Sequence, residues 1–221
     1  MTPHREVLSR EAMRLLGSLG GILGPSYYLA GGTGLALQAG HRKSEDLAFF
    51  RHAPGLVLPA RERLKRSLLE AGRYQILSED EGTLHLAYGD TRVSLLASRP
   101  PLLRKAIRMD RALVADPVDI GLMKISAVIG RGAKKDFIDM ACLLKEYVAL
   151  AELLRLAPKK FPESREISFL ALKALVYFAD AEAEPDPVIL KGEYRWSPVK
   201  AFLRSEVTKA SSALTSQRRR T

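Results

Sequence analysis

The spacing of apolar and polar positions divides the chain into a strand-rich first half and a helical second half. Residues 4–18 carry an imperfect apolar stripe (Val7, Leu8, Met13, Leu15, Leu16) at helical spacing, ended by Gly17, Gly20, Gly21, Gly24 and Pro25. Residues 27–30 read as a short buried strand running into the Gly31-Gly32 pair. Thr33 is then placed to cap a short helix over 34–39, and Gly40 suits the position after it. Residues 46–50 predict a second strand, with Asp46 and Ala48 on one face and Leu47 and Phe49 on the other. Pro54 and Gly55 mark a loop, and residues 59–71 an amphipathic helix with Leu64, Leu68 and Leu69 inward. Strands over 74–77, 83–88 and 92–96 follow as an antiparallel meander, turning at Glu81-Gly82 and Gly89-Asp90. Pro100-Pro101 breaks this pattern and sets the expected boundary between an α/β domain over 1–100 and a helical domain over 101–221. Asp116-Pro117 opens a helix to about Gly130, and a second runs from Ala133 to Tyr147. Further helices are expected over 149–156, 164–180 and 198–214, the last opened by Ser197-Pro198 and stapled by Trp196. Met123 with Met140, and Phe169 with Tyr177, read as core; Arg218, Arg219 and Arg220 read as a solvated tail.

Composition narrows the class. A chain of 221 residues, 47% of them hydrophobic, can bury a substantial core in one large domain or two small ones. Cys142 is the single cysteine, which excludes an intrachain disulfide and fits a reducing cytosol. No apolar run reaches the ~18 residues of a membrane span, and the first residues are too polar for a signal peptide, so a cytoplasmic protein without membrane contact is expected. The formal net charge of +10 makes nucleic acid or nucleotide a candidate partner, beside the plainer reading of solubility. His4, His52 and His85 are scattered without metal-ligand spacing.

The candidate chemistry lies in the Gly31-Gly32 turn and the strand after it. Two glycines let the backbone approach a phosphate, and the start of the following helix presents amides to it. The bland alternative is an ordinary strand-to-helix turn. A glycine pair followed by Asp-x-Asp on a neighbouring strand is the minimal core of a polymerase-β-like nucleotidyltransferase, in which two carboxylates on one face hold Mg²⁺ against a nucleoside triphosphate. Asp46 fills the first position and Ala48 the second, where it binds no metal. Ser94 occupies the slot for a third carboxylate, and Asp90 reads as turn chemistry. Asp46 otherwise reads as the partner of Arg42 or Lys43.

Gly31-Gly32-Thr33, Leu35-Ala36-Leu37, Gly40-His41-Arg42, Ser44 and Asp46-Leu47-Ala48-Phe49-Phe50 together resemble the AbiEii/AbiGii toxin family, whose last piece normally reads Asp-Leu-Asp-Phe-Phe. A second block is similar to the family and in family order: Asp119 to Lys124, then Arg131-Gly132 and Lys135-Asp136-Phe137-Ile138-Asp139. The resemblance covers most of the chain. It implies an α/β (α+β) fold: a polymerase-β-like nucleotidyltransferase core with a mixed sheet, and a helical half closing the cleft. It implies a toxin of a toxin–antitoxin pair that moves a nucleoside monophosphate from a nucleoside triphosphate to an acceptor, RNA or tRNA, with the antitoxin as a separate protein. Carried over residue by residue, it makes Asp46, Lys124 and Asp136 the catalytic candidates, Gly31, Gly32, Thr33 and Arg42 the nucleotide-binding ones, and Asp46 the remaining Mg²⁺ ligand. Ala48 then means weak or absent metal binding, in a naturally degenerate site or through a replaced aspartate. Lys124 otherwise reads as a snorkelling lysine, and Asp139, one turn from Asp136, as a structural ion pair. The alternative function is a catalytically dead nucleotide- or nucleic-acid-binding protein of the same fold; a third is a protein held only by a protein partner.

Overall fold

In a computed structural model, described over residues 2–51, 60–97 and 100–218 with side chains as far as residue 212, the chain falls into two units, Met1–Asp116 and Pro117–Thr221. The Pro54-Gly55 loop, His52, and the Arg219 and Arg220 end of the tail lie outside the described residues.

The first unit contains helix α1 (Arg10–Leu23), strand β1 (Tyr28–Ala30), α2 (Gly31–Ala39), β2 (Asp46–Arg51), α3 (Ala60–Leu68), β3 (Gln75–Asp80), β4 (Thr83–Tyr88), β5 (Thr91–Ala97), β6 (Ile107–Met109) and β7 (Ala112–Val114). Its described strands form one mixed sheet in the order β3-β4-β5-β2-β1-β7-β6. β2 runs parallel to β5 and antiparallel to β1, and β7 runs parallel to β1. The boundary lies at Asp116–Pro117 rather than at the proline pair, because β6 and β7 follow Pro101 and extend the sheet beyond β1. α1 starts at Arg10, where Ser9 Oγ accepts from the Ala12 amide, and not at residue 4.

Alternation sorts the sheet into two faces. Leu47 and Phe49 of β2, Val93 and Leu95 of β5, and Leu84 and Leu86 of β4 are buried in one cluster with Leu15, Leu16, Leu19 and Leu23 of α1 and Leu68 of α3. α1 lies close on β7 at Gly20, where an added Cβ would come within 2.9 Å of the Ala112 nitrogen and the Arg111 carbonyl. The opposite face carries Asp46, Ala48, Arg92, Ser94 and His85, half-buried or exposed.

The second unit is helical: α4 (Pro117–Gly130), α5 (Lys134–Glu146), α6 (Leu150–Lys160), α7 (Ile167–Ala174), α8 (Ala179–Glu182) and α9 (Trp196–Arg218). Gly121 of α4 lets Leu153 of α6 approach closely; a Cβ there would lie 3.1 Å from its methyl carbons. Trp196 opens α9 and packs on Phe137 and Phe178, with centroids 5.9 and 5.6 Å away. The single helix expected over 164–180 is instead α7 and α8, separated by a turn. α7 buries Ile167 and Ala171, one helical turn apart, so Phe169 points away from that face at 56% exposure, with the Lys173 ammonium 4.5 Å over its ring. Tyr177 is 59% exposed, and neither of the two belongs to the core; Met140 does.

Candidate active site

The site in the first unit is built on β1, the start of α2, and β2. β1 and β2 pair with Ala30 opposite Ala48. The chain then turns directly into α2. Gly31 makes the turn at φ +67°, a region that glycine enters without the steric cost of a Cβ. A Cβ on Gly31 would lie 4.0 Å from the Ala48 methyl, which places the diglycine beside the second carboxylate position. The residue capping α2 is Ala30, whose side chain offers no acceptor to the first amides of the helix.

Thr33 is therefore not the cap. It is the third residue of α2, 2% exposed, and its hydroxyl donates to the Asp46 carbonyl and lies 2.6 Å from Ser44 Oγ. It faces inward and fixes the backbone that carries Asp46, so its hydroxyl does not point to a phosphate. Arg42 departs from expectation in the same way. It is buried, and its Nη1 donates to the Lys43 carbonyl at 2.8 Å, turned onto the α2–β2 connection. Asp46 itself is exposed at the start of β2.

The face continues sideways across the sheet. Ala48 pairs with Ser94 of β5, and Ser94 with His85 of β4. His85 Nδ1 is 2.8 Å from Ser94 Oγ. His85 was read from the sequence as one scattered histidine. The two-residue turn at Gly89-Asp90 fixes the hairpin register and was the signal that could have joined it to Ser94.

The implied metal meets a poor donor set here. One carboxylate, a methyl and a hydroxyl stand where a two- or three-carboxylate site would need acids. Among the described residues no three His, Cys, Asp or Glu side chains gather as a metal-binding group. The residues present do not fit a resident Mg²⁺ site.

In the second unit Lys124, Asp136 and Asp139 come together. Lys124 Nζ lies 2.7 Å from Asp136 Oδ1 and 2.5 Å from Asp139 Oδ2, all three side chains being nearly inaccessible. Arg131 adds a fork to Asp136, Nε to Oδ2 at 2.7 Å and Nη2 to Oδ1 at 3.0 Å. Burial pushes the Asp136 carboxyl up, but hydrogen bonding from Arg131 and the charge of Lys124 outweigh it and hold the group below the usual aspartate range. A second buried pair, Lys160 with Asp119 at 2.7 Å, joins α6 to α4.

Comparison with known proteins supplies the family. The profile described as "Nucleotidyl transferase AbiEii toxin, Type IV TA system" matches residues 14–219. The chain belongs to the AbiEii nucleotidyl transferase toxin family. An uncharacterised protein of Aquifex aeolicus (strain VF5) is 33% identical over 206 residues, which is 90% of this chain and 93% of that protein. Among solved structures, MenT4, a nucleotidyltransferase toxin of Mycobacterium tuberculosis H37Rv, superposes with a TM-score of 0.62 at 15% identity, over 91% of this chain and 82% of that one. JHP933 of Helicobacter pylori gives 0.51 at 16% identity, over 95% and 94%. These likenesses give the AbiEii chain a nucleotidyltransferase fold, in agreement with the mixed sheet described above. No helix among the described residues is long and apolar enough to cross a membrane.

Proposed function

We propose that this chain is a nucleotidyltransferase toxin that moves a nucleoside monophosphate from a nucleoside triphosphate to an RNA acceptor, tRNA being the class we favour, and that it does so slowly. The observation carrying this reading is the Gly31 turn set against Ala48, with uncapped amides at the start of α2 and Asp46 held on the adjoining strand through Thr33. Gly31 and Gly32 bring amides to the phosphates, and Asp46 is the one carboxylate beside them. Any Mg²⁺ then arrives with the triphosphate as part of the substrate. Within the second unit, Lys124 and Asp136 are the candidates for handling charge, and Arg42 serves through the turn that it braces. The net charge of +10 supports a polyanionic acceptor. Membership of a toxin family supports a separate antitoxin protein as partner and action in the cytoplasm.

The test incubates labelled nucleoside triphosphates and Mg²⁺ with total RNA and either this chain or its Ala48→Asp variant. Restoring the second carboxylate is expected to raise transfer at least tenfold, about 1.4 kcal/mol of barrier. Equal transfer by the two proteins would overturn the assignment of position 48. A second reading, a binder that has lost catalysis, draws on the same methyl at Ala48 and on Ser94. It predicts no transfer by this chain to any acceptor.

A further inference from the structure

On the face that carries Asp46, one row of paired residues crosses the sheet: Ala30 of β1, Ala48 of β2, Ser94 of β5, His85 of β4 and Ser78 of β3. Three small side chains leave a shallow trough next to the Gly31 turn, and His85 is the only group in the row that can bind a proton near neutral pH. From the geometry we propose that His85 is the general base of the transfer reaction and that Ser94 is the positioning residue that aims it; this rests on the transferase reading above.

The hydrogen bond from His85 Nδ1 to Ser94 Oγ, 2.8 Å, leans the ring toward β5, the strand lying between His85 and Ala48. With Nδ1–H donating to Ser94, the lone pair sits on Nε2. Two strand spacings separate β4 from β2, about 10 Å. A histidine leaning inward across half of that gap leaves room for an acceptor oxygen in contact with both Nε2 and a phosphorus above Ala48, each contact about 3 Å long. In the step, the acceptor hydroxyl gives its proton to Nε2 while its oxygen bonds to the α-phosphorus. The bond from that phosphorus to the oxygen bridging to the β-phosphate breaks, and pyrophosphate leaves with the electron pair. The imidazolium then returns its proton to water. The charged groups on this face of the flanking strands are Arg92 on β5 and Asp80 on β3, each displaced along its strand from the row, with Asp46 farther off on β2.

The experiment follows nucleotide transfer to RNA across pH 5–9 in the full chain, with triphosphate binding measured in parallel. His85→Gln is expected to lower kcat at least about 100-fold while triphosphate affinity stays within about threefold, and to abolish the fall in rate on the acid side. Added imidazole is expected to restore part of the transfer in His85→Ala. Ser94→Ala, which keeps the imidazole and loses its orientation, is expected to lower kcat by about tenfold with KM little changed, and it serves if the His85 variants fail to fold. A His85→Gln protein that transfers at the parent rate with the acid limb intact overturns the base assignment alone. A parent chain that binds triphosphate and transfers it to no acceptor overturns the transferase reading, and this inference with it.

Discussion

Lys124 is the residue whose environment differs most from what its neighbours in the chain suggest. It lies in an apolar run, and its ammonium nevertheless meets two carboxylates that are themselves inaccessible. Replacing it with methionine keeps most of the volume but leaves Asp136 and Asp139 buried against Arg131 alone. Uncompensated buried charge of this kind costs about 3–5 kcal/mol, so Lys124→Met is expected to lower the denaturation midpoint sharply, as read by chemical unfolding. The same cluster makes stability depend on acid. Asp136 titrates below its ordinary value near 3.8, so the folded state binds a proton less readily than the unfolded chain. Its contribution is complete above about pH 4, where the unfolded group is also ionised, and is lost as pH falls through the lower folded value. Unfolding free energy measured from pH 6 down to pH 2 should therefore drop mainly below about pH 4, and less steeply in Asp136→Asn.

At the scale of elements, the α1–β7 contact is the most sharply specified, because it brings backbone against backbone. A methyl at Gly20 would sit 2.9 Å from the Ala112 nitrogen and the Arg111 carbonyl, neither of which can swing aside as a side chain can. Gly20→Ala is expected to destabilise the chain by about 1–3 kcal/mol despite alanine's better helix propensity, which a urea titration would show. A gain in stability would mean that α1 stands off from the strand.

Elements with long, clean alternation were legible in the sequence: β2, β4 and β5, with the Gly-Gly turn between β1 and α2. β6 and β7 were not, since three residues each, joined at Asp110-Arg111, are too few to display a period of two. Their place beside β1 comes from tertiary pairing, Leu29 with Val114, that no local pattern announces. The site was legible in part for the same reason. Asp46, Ala48 and Gly31 are near in sequence and near in space, and Ser94 was found as a strand position. Thr33 and Arg42 were misread because their polar groups look available in a one-dimensional pattern, whereas packing turns them onto Asp46, Ser44 and Lys43.

Over the whole molecule the relevant quantity is a net charge of +10, and it bears directly on the two functional readings. A basic surface binds any polyanion by releasing condensed counterions, so affinity for RNA falls steeply as salt rises, whatever the chain does afterwards. A protein neutralising about five phosphates should lose roughly 100-fold in RNA affinity between 50 and 200 mM salt. Recognition of a nucleoside triphosphate at the Gly31 turn is a different interaction. It is local, uses backbone amides at short range, and should respond to Mg²⁺, because the metal changes the charge and shape of the triphosphate itself. A transferase is therefore expected to bind triphosphate more tightly with Mg²⁺ at constant ionic strength, and Ala48→Asp to enlarge that gain while leaving the salt slope for RNA untouched. A chain that only binds polyanions would show the same salt slope for RNA and only weakened triphosphate binding on adding the metal. Isothermal titration with and without Mg²⁺, at matched ionic strength, separates the two, because counterion release is held constant and only the site around Gly31, Asp46 and residue 48 is left to respond.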